Sequence, residues 1–220
     1  MPPASGNKKK SSGRGDEKLF LTIVLALAAI AGLGSWFAAG ALKRHDDARV
    51  IAPDESRRLE NFSLIDSAGR RVTREDVRGK ILAVSFLFTS CSLTCPEVSK
   101  RMAEIQSLTA TDDDVRLLSL TVDPRTDTPP VLAKWGARFG ADTNRWRLLT
   151  GDKAQLLWLV GTSFLATETN NPFNSMPGNF AGTERIAVVD KRGNVHAFFD
   201  GLRVGTPAAV AAEIEKLRGE

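Results

Sequence analysis

The chain has 220 residues, 42% hydrophobic and 25% charged, which is enough apolar material for one ordinary core and too much for a mainly disordered protein. Two cysteines exclude a disulfide-rich scaffold and a four-cysteine zinc finger. The net charge of +4 does not argue for nucleic acid, because Lys8, Lys9, Lys10, Arg14 and Lys18, set against Asp16 and Glu17, put +3 of it in the first 42 residues.

Residues 1–18 are rich in Pro, Gly, Ser and Lys without apolar periodicity and read as a disordered basic tail. From Leu19 to Leu42 run 24 residues without a charge. As a helix this is about 36 Å, enough to cross a hydrocarbon layer of ~30 Å. A buried core helix would not be apolar on every side behind a Lys-rich tail. Ala38-Ala39-Gly40 offers small residues for signal cleavage, but the stretch exceeds the ~7 to 15 residues of a signal core, so a retained transmembrane anchor is expected. The bases before it should stay in the cytoplasm, which sends the rest of the chain to the periplasmic or extracytoplasmic side of the inner membrane. There thiols can be oxidised.

Residues 43–57 read as a polar stalk, and 58–218 as one domain. A strand pair is expected at Phe62 to Ile65 and Arg70 to Thr73, turned by Ser67-Ala68-Gly69. The run Ile81 to Phe88 has the pattern of a central strand covered on both faces. A helix from Pro96 carries Val98, Met102, Ile105 and Leu108 on one side. Val115 to Val122 is the next strand, and Pro129-Pro130 opens a helix through Phe139. Trp146 to Leu149 is a short strand, after which Asp152 begins a helix with Leu156, Leu159 and Val160 on one side. Ile186 to Val189 and Val195 to Phe199 form a hairpin, and Thr206-Pro207 caps a last helix. This order is that of a thioredoxin-like α/β sandwich.

Both cysteines lie in Cys91-Ser-Leu-Thr-Cys95-Pro96, where the central strand meets a helix. Two unpaired core cysteines are the bland reading. The carboxyl end of a central strand is, however, where open α/β sheets place reactive groups, and a helix N-terminus favours thiolate over thiol. With Cys91 in the loop, small backbone changes either join the two sulfurs or spread them around an ion. Soft thiolates select Cu(I) or Zn(II), and two sulfurs satisfy linear Cu(I) better than tetrahedral zinc.

The sequence resembles the Sco/SenC family of membrane-anchored, thioredoxin-like copper proteins. The resemblance rests on Phe88-Thr-Ser-Cys91-Ser-Leu-Thr-Cys95-Pro96, Ser119-Leu-Thr-Val-Asp123-Pro-Arg-Thr-Asp127-Thr-Pro129, Trp146-Arg-Leu-Leu-Thr-Gly151 and Thr183-Glu-Arg-Ile-Ala-Val-Val-Asp190. It implies a peroxiredoxin-like variant of the thioredoxin fold and a site where two cysteines, here Cys91 and Cys95, and one histidine bind copper. It also implies a role in metallating, or reducing the thiols of, the copper site of cytochrome c oxidase, with a copper-oxidase subunit or another copper or thiol protein as partner. Asp123 and Asp127 are expected near the site, or as an Asx turn before a proline-capped helix.

The family histidine does not carry over, since Gly182 stands at its place before Thr183. His45 lies in the stalk, and His196 is expected opposite Val188, roughly 20 Å from Gly182, as a structural or surface residue. Loss of imidazole should weaken copper binding and nearly abolish Cu(II) binding, while disulfide exchange needs only the two sulfurs. Met176 offers a thioether, although a loop methionine more often packs. The sequence therefore leaves Cu(I) carriage and thiol-disulfide exchange side by side. A thiol peroxidase lacks its Thr-x-x-Cys spacing here, and a structural disulfide is the remaining alternative.

Overall fold

The computed structural model describes residues 49–51, 57–164 and 184–219. The expected anchor at 19–42, His45, Met176 and Gly182 lie outside them. Among the described residues no helix is long and apolar enough to cross a membrane.

Eight strands form one sheet. In chain order they are β1 (Arg49–Ile51), β2 (Ser63–Asp66), β3 (Arg71–Thr73), β4 (Ile81–Leu87), β5 (Val115–Thr121), β6 (Trp146–Thr150), β7 (Arg185–Val189) and β8 (Val195–Asp200), and across the sheet they run β1-β8-β7-β4-β5-β6-β2-β3. Helices α1 (Thr94–Leu108), α2 (Pro129–Arg138), α3 (Lys153–Leu159) and α4 (Thr206–Arg218) connect or follow them. β4, β5 and β6 are parallel, while β7 pairs antiparallel with β4 and β2 pairs antiparallel with β6. Parallel neighbours need crossovers, and α1 and α2 supply them. Within residues 43–57, read as stalk, Arg49–Ile51 adds an edge strand to β8, and Arg58 bridges Asn194.

β4 is buried at every position, as its unbroken apolar run requires. Its alternation sorts the core into two layers. Ile81, Ala83 and Leu87 face Val98, Met102 and Ile105 of α1, with Leu132 and Trp135 of α2 and Val210, Ile214 and Leu217 of α4. Leu82, Val84 and Phe86 face the other way, towards Leu156 and Leu159 of α3, Phe164 beyond it, and Leu64 and Val72 of the β2–β3 hairpin. The polar side chains inside are partnered: Ser85 and Ser119 share a hydrogen bond of 2.7 Å, Trp146 Nε1 donates to Ser119 at 2.9 Å, and Trp135 Nε1 donates to Ser99 at 3.0 Å. Each would otherwise carry an unmet desolvation cost.

Local chemistry explains most of the boundaries. Asp66 Oδ1 accepts the backbone N–H groups of Ala68 and Arg70, and Gly69 takes φ +78°, which closes the β2–β3 turn. Asp152 accepts the N–H of Gln155 at 2.9 Å and caps α3 as expected. Three expectations shift. α1 begins at Thr94 and not Pro96, so Cys95 lies in its first turn and Pro96 remains within the stretch where no intrahelical N–H is needed. Leu108, read as inward-facing, is exposed at the helix end. Thr206 is the first residue of α4 and not its cap, because its hydroxyl donates to the Asp200 carbonyl.

Met102 is fully buried at the centre of the α1 layer. Met102→Ala should cost about 2 to 5 kcal/mol of stability, read as a lowered midpoint of denaturant unfolding with an unchanged slope.

Candidate thiol site at the end of the central strand

β4 ends at Leu87, and the next four residues turn the chain into α1. The turn is closed by the Cys91 N–H, which donates to the Phe88 carbonyl at 3.0 Å. It is tied down from the side by Asp127, which is 0% exposed. One Asp127 oxygen accepts the Thr89 N–H at 3.1 Å and the Thr89 hydroxyl, and the other accepts the Thr121 hydroxyl at the end of β5. A single carboxylate thus joins the carboxyl ends of the two central parallel strands to the loop that carries Cys91. Asp123 contributes through its backbone: its carbonyl accepts the N–H groups of Thr126 and Asp127, and its own N–H donates to Thr121. Asp127 is thus tied to the loop that carries Cys91, as expected, whereas the bonds of Asp123 reach only Thr121, Thr126 and Asp127. Asp127 acts as an anchor for the loop and more than as a turn former.

The two thiols are free and differ sharply. Cys91 is half-buried in the loop, and its sulfur lies 3.3 Å from the Thr94 hydroxyl and accepts the Cys95 N–H at 3.3 Å. Partial burial opposes its ionisation. The Thr94 hydroxyl, the Cys95 N–H, the Cys95 thiol and the Leu93 N–H outweigh that, bringing its pKa down to about 7. Cys95 is fully buried. Burial raises its pKa first, and the proton it shares with Cys91, together with the negative charge of that sulfur, carries it to about 12. Of the two thiols, Cys91 is therefore the one that ionises first and Cys95 the one that keeps its proton.

The sequence pointed to Cys91 and Cys95 and to the neighbourhood of Asp127. It did not single out Thr94, Thr89 or Thr121, whose hydroxyls complete the site. A threonine three residues after a cysteine at a helix start was the available signal for Thr94. The expected placement of His196 needs correction. Val188 pairs with Ala197, not His196, because the β7–β8 ladder shifts register between Val188 and Val189. His196 Nε2 lies 2.9 Å from the buried Glu213 of α4, a structural contact. Among the described residues no group of three or more His, Cys, Asp or Glu side chains forms a ligand cluster.

A family model described as SCO1/SenC matches residues 52–219. The chain belongs to the SCO1/SenC family. A SCO1 protein homolog of Bacillus subtilis is 34% identical over 94 residues, covering 42% of this chain and about half, 49%, of that protein. The fold matches that of BsSco, described as a member of the Sco family of cytochrome c oxidase assembly proteins with a disulfide switch, at a TM-score of 0.64 and 24% identity over 77% of this chain and 98% of that one. It also matches copper-bound ScoI of Bradyrhizobium japonicum at a TM-score of 0.57 and 24% identity, over 72% and 98% of the two chains.

Two measurements probe the asymmetry of this SCO1/SenC thiol pair. Alkylation by iodoacetamide should modify Cys91 first, with a rate that rises as pH increases and is half-maximal near pH 7, because only the thiolate reacts. Thr94→Val should move that midpoint upward, since it removes a hydroxyl that favours the thiolate; an unmoved midpoint would exclude Thr94 from the site. Asp127→Asn should lower stability by about 1.5 to 3 kcal/mol through its weakened hydrogen bonds to Thr89 and Thr121, checked by thermal unfolding.

Proposed function

We propose that this protein is a membrane-anchored Sco-type factor in the assembly of a copper oxidase, working outside the cytoplasm through Cys91 and Cys95. Residues 19–42 serve as the anchor, and the basic tail before them sets the orientation. The partner is a copper-oxidase subunit or another copper or thiol protein. The observation that carries this reading is the pair itself: one thiol ionised near neutrality and one protonated thiol beside it, at the start of a helix and at the end of the central strand.

The same pair supports two kinds of work. In exchange, the Cys91 thiolate attacks a partner disulfide, forming a mixed disulfide and releasing one partner thiolate. The negative charge on Cys91 then disappears, which removes one of the effects holding the Cys95 proton. Cys95 loses that proton and attacks the Cys91 sulfur. The partner leaves as a second thiolate, reduced by two electrons, and Cys91 and Cys95 end as a disulfide. In metal carriage, Cu(I) is the cargo, and Cys91 and Cys95 offer it two soft donors. Gly182 stands where the family histidine would be, so Cu(I) is the form the donor set suits, with little provision for Cu(II). A thiol peroxidase reading gains no support: among the described residues neither thiol hydrogen-bonds to an arginine.

An anaerobic Cu(I) titration of the protein against the Cys91→Ser/Cys95→Ser variant tests the metal role; equal affinities would leave only redox or structural work for the pair. The pH dependence gives a sharper signature. Copper must displace the Cys95 proton at any pH below about 12 and the Cys91 proton as well below about 7. The Cu(I) affinity should therefore rise by about tenfold per pH unit above neutrality and by about a hundredfold per unit well below it. A reduction potential measured beside it reports the exchange role, and a value below about −300 mV marks a merely structural disulfide.

A further inference from the structure

At the opposite end of β4 from the thiols lies a pocket of about 270 Å³. Seven residues of strand separate the two, roughly 20 Å, so this pocket is independent of the thiol site. Its apolar floor is Leu59, Val77 and Leu82. Its walls carry five cations, Arg74, Arg78, Lys80, Lys191 and Arg192, against one carboxylate, Asp190. That carboxylate is already committed to the β7–β8 turn, where it accepts the Arg192 N–H, the Asn194 N–H and the Asn194 side-chain amide. Arg78 pairs with exposed Glu75 and Lys191 with Asp114. Arg74, Lys80 and Arg192 have no carboxylate partner among the described residues. Arg74 makes only a long 3.4 Å bond to Asn61, and Lys80 donates to the Asp113 carbonyl.

With Arg78 and Lys191 already paired, the three cations without a carboxylate partner, Arg74, Lys80 and Arg192, leave the concavity with an excess of positive charge that an anion would offset. Two arginine forks suit the planar sets of oxygens on a phosphate, and lysine adds a point charge. We infer that this pocket binds a phosphate-class anion, either free or as the headgroup of an anionic lipid, between Arg74, Lys80 and Arg192.

The test uses the full chain in neutral detergent at fixed ionic strength, titrated with sodium phosphate and, separately, sodium chloride, with amide NMR shifts as the readout. Phosphate should give saturable shifts confined to residues 74–82 and 190–193, and chloride should not. Arg74→Gln/Arg192→Gln should weaken the binding by about tenfold or more. The single variant Arg192→Gln, at an exposed position that leaves the fold intact, should weaken it by a smaller factor. Shifts that do not saturate, that chloride reproduces, or that persist unchanged in Arg192→Gln would overturn the inference. A parallel titration with monomeric dihexanoylphosphatidylglycerol separates the sources: tighter binding than inorganic phosphate assigns the site to a lipid headgroup, and equal or weaker binding assigns it to a free phosphate.

Discussion

One buried carboxylate holds the working end of this protein together. Among the described residues Asp127 forms no salt bridge; its oxygens are met by the Thr89 N–H and the hydroxyls of Thr89 and Thr121. Charge-assisted bonds of this kind are the strong ones, and a buried carboxylate without them would be prohibitively costly. The chain satisfies Asp127 only when the end of β4, the end of β5 and the turn before α2 come to one point. The cysteine loop is thereby fixed at one edge by Thr89 and at the other by α1, whose start receives the Cys91 sulfur. The electronic character of the thiols follows from that placement: hydrogen bonds at the helix start act on Cys91, and burial together with the neighbouring Cys91 sulfur acts on Cys95.

The division of labour between the cysteines is a matter of depth. Three residues separate them, yet Cys91 stands in the loop and Cys95 under the first turn of α1. The half-buried sulfur collects hydrogen bonds from the helix start, and the buried one gains little to offset its desolvation. Under the proposed function, a pair poised in this way reacts in a fixed order with a partner disulfide and gives up protons when it takes a soft metal. The SCO1/SenC membership and the geometry therefore point in one direction, although the family histidine has no counterpart at Gly182.

Much of the fold was legible because its signals were local and strong. The apolar run of β4, the Pro-Pro start of α2, Asp152 as a cap and the β7–β8 hairpin all declare themselves in a few residues. What escaped depended on tertiary contacts. The bulge that moves His196 out of register with Val188 has no marker in an alternating apolar strand. Leu108 keeps helical spacing with the core residues but falls on the last turn, where α1 has run past the layer it covers. The cysteine pair was visible from its spacing, while the threonine hydroxyls around it were not, since threonine is too common at turns and helix starts to be singled out.

The antiparallel pairing of β4 with β7 joins Ser85 to Ile186, about a hundred positions apart in the chain. Contacts between such distant segments form late, after the cost of closing a long loop has been met. The strand that leads into the thiols is therefore unbracketed on one side until nearly the whole domain has been synthesised. The hydrogen bonds around the shallow sulfur are local, but the deep one is sealed off only when the far strands of the layer close over it, so the contrast between the two is completed with the finished sheet.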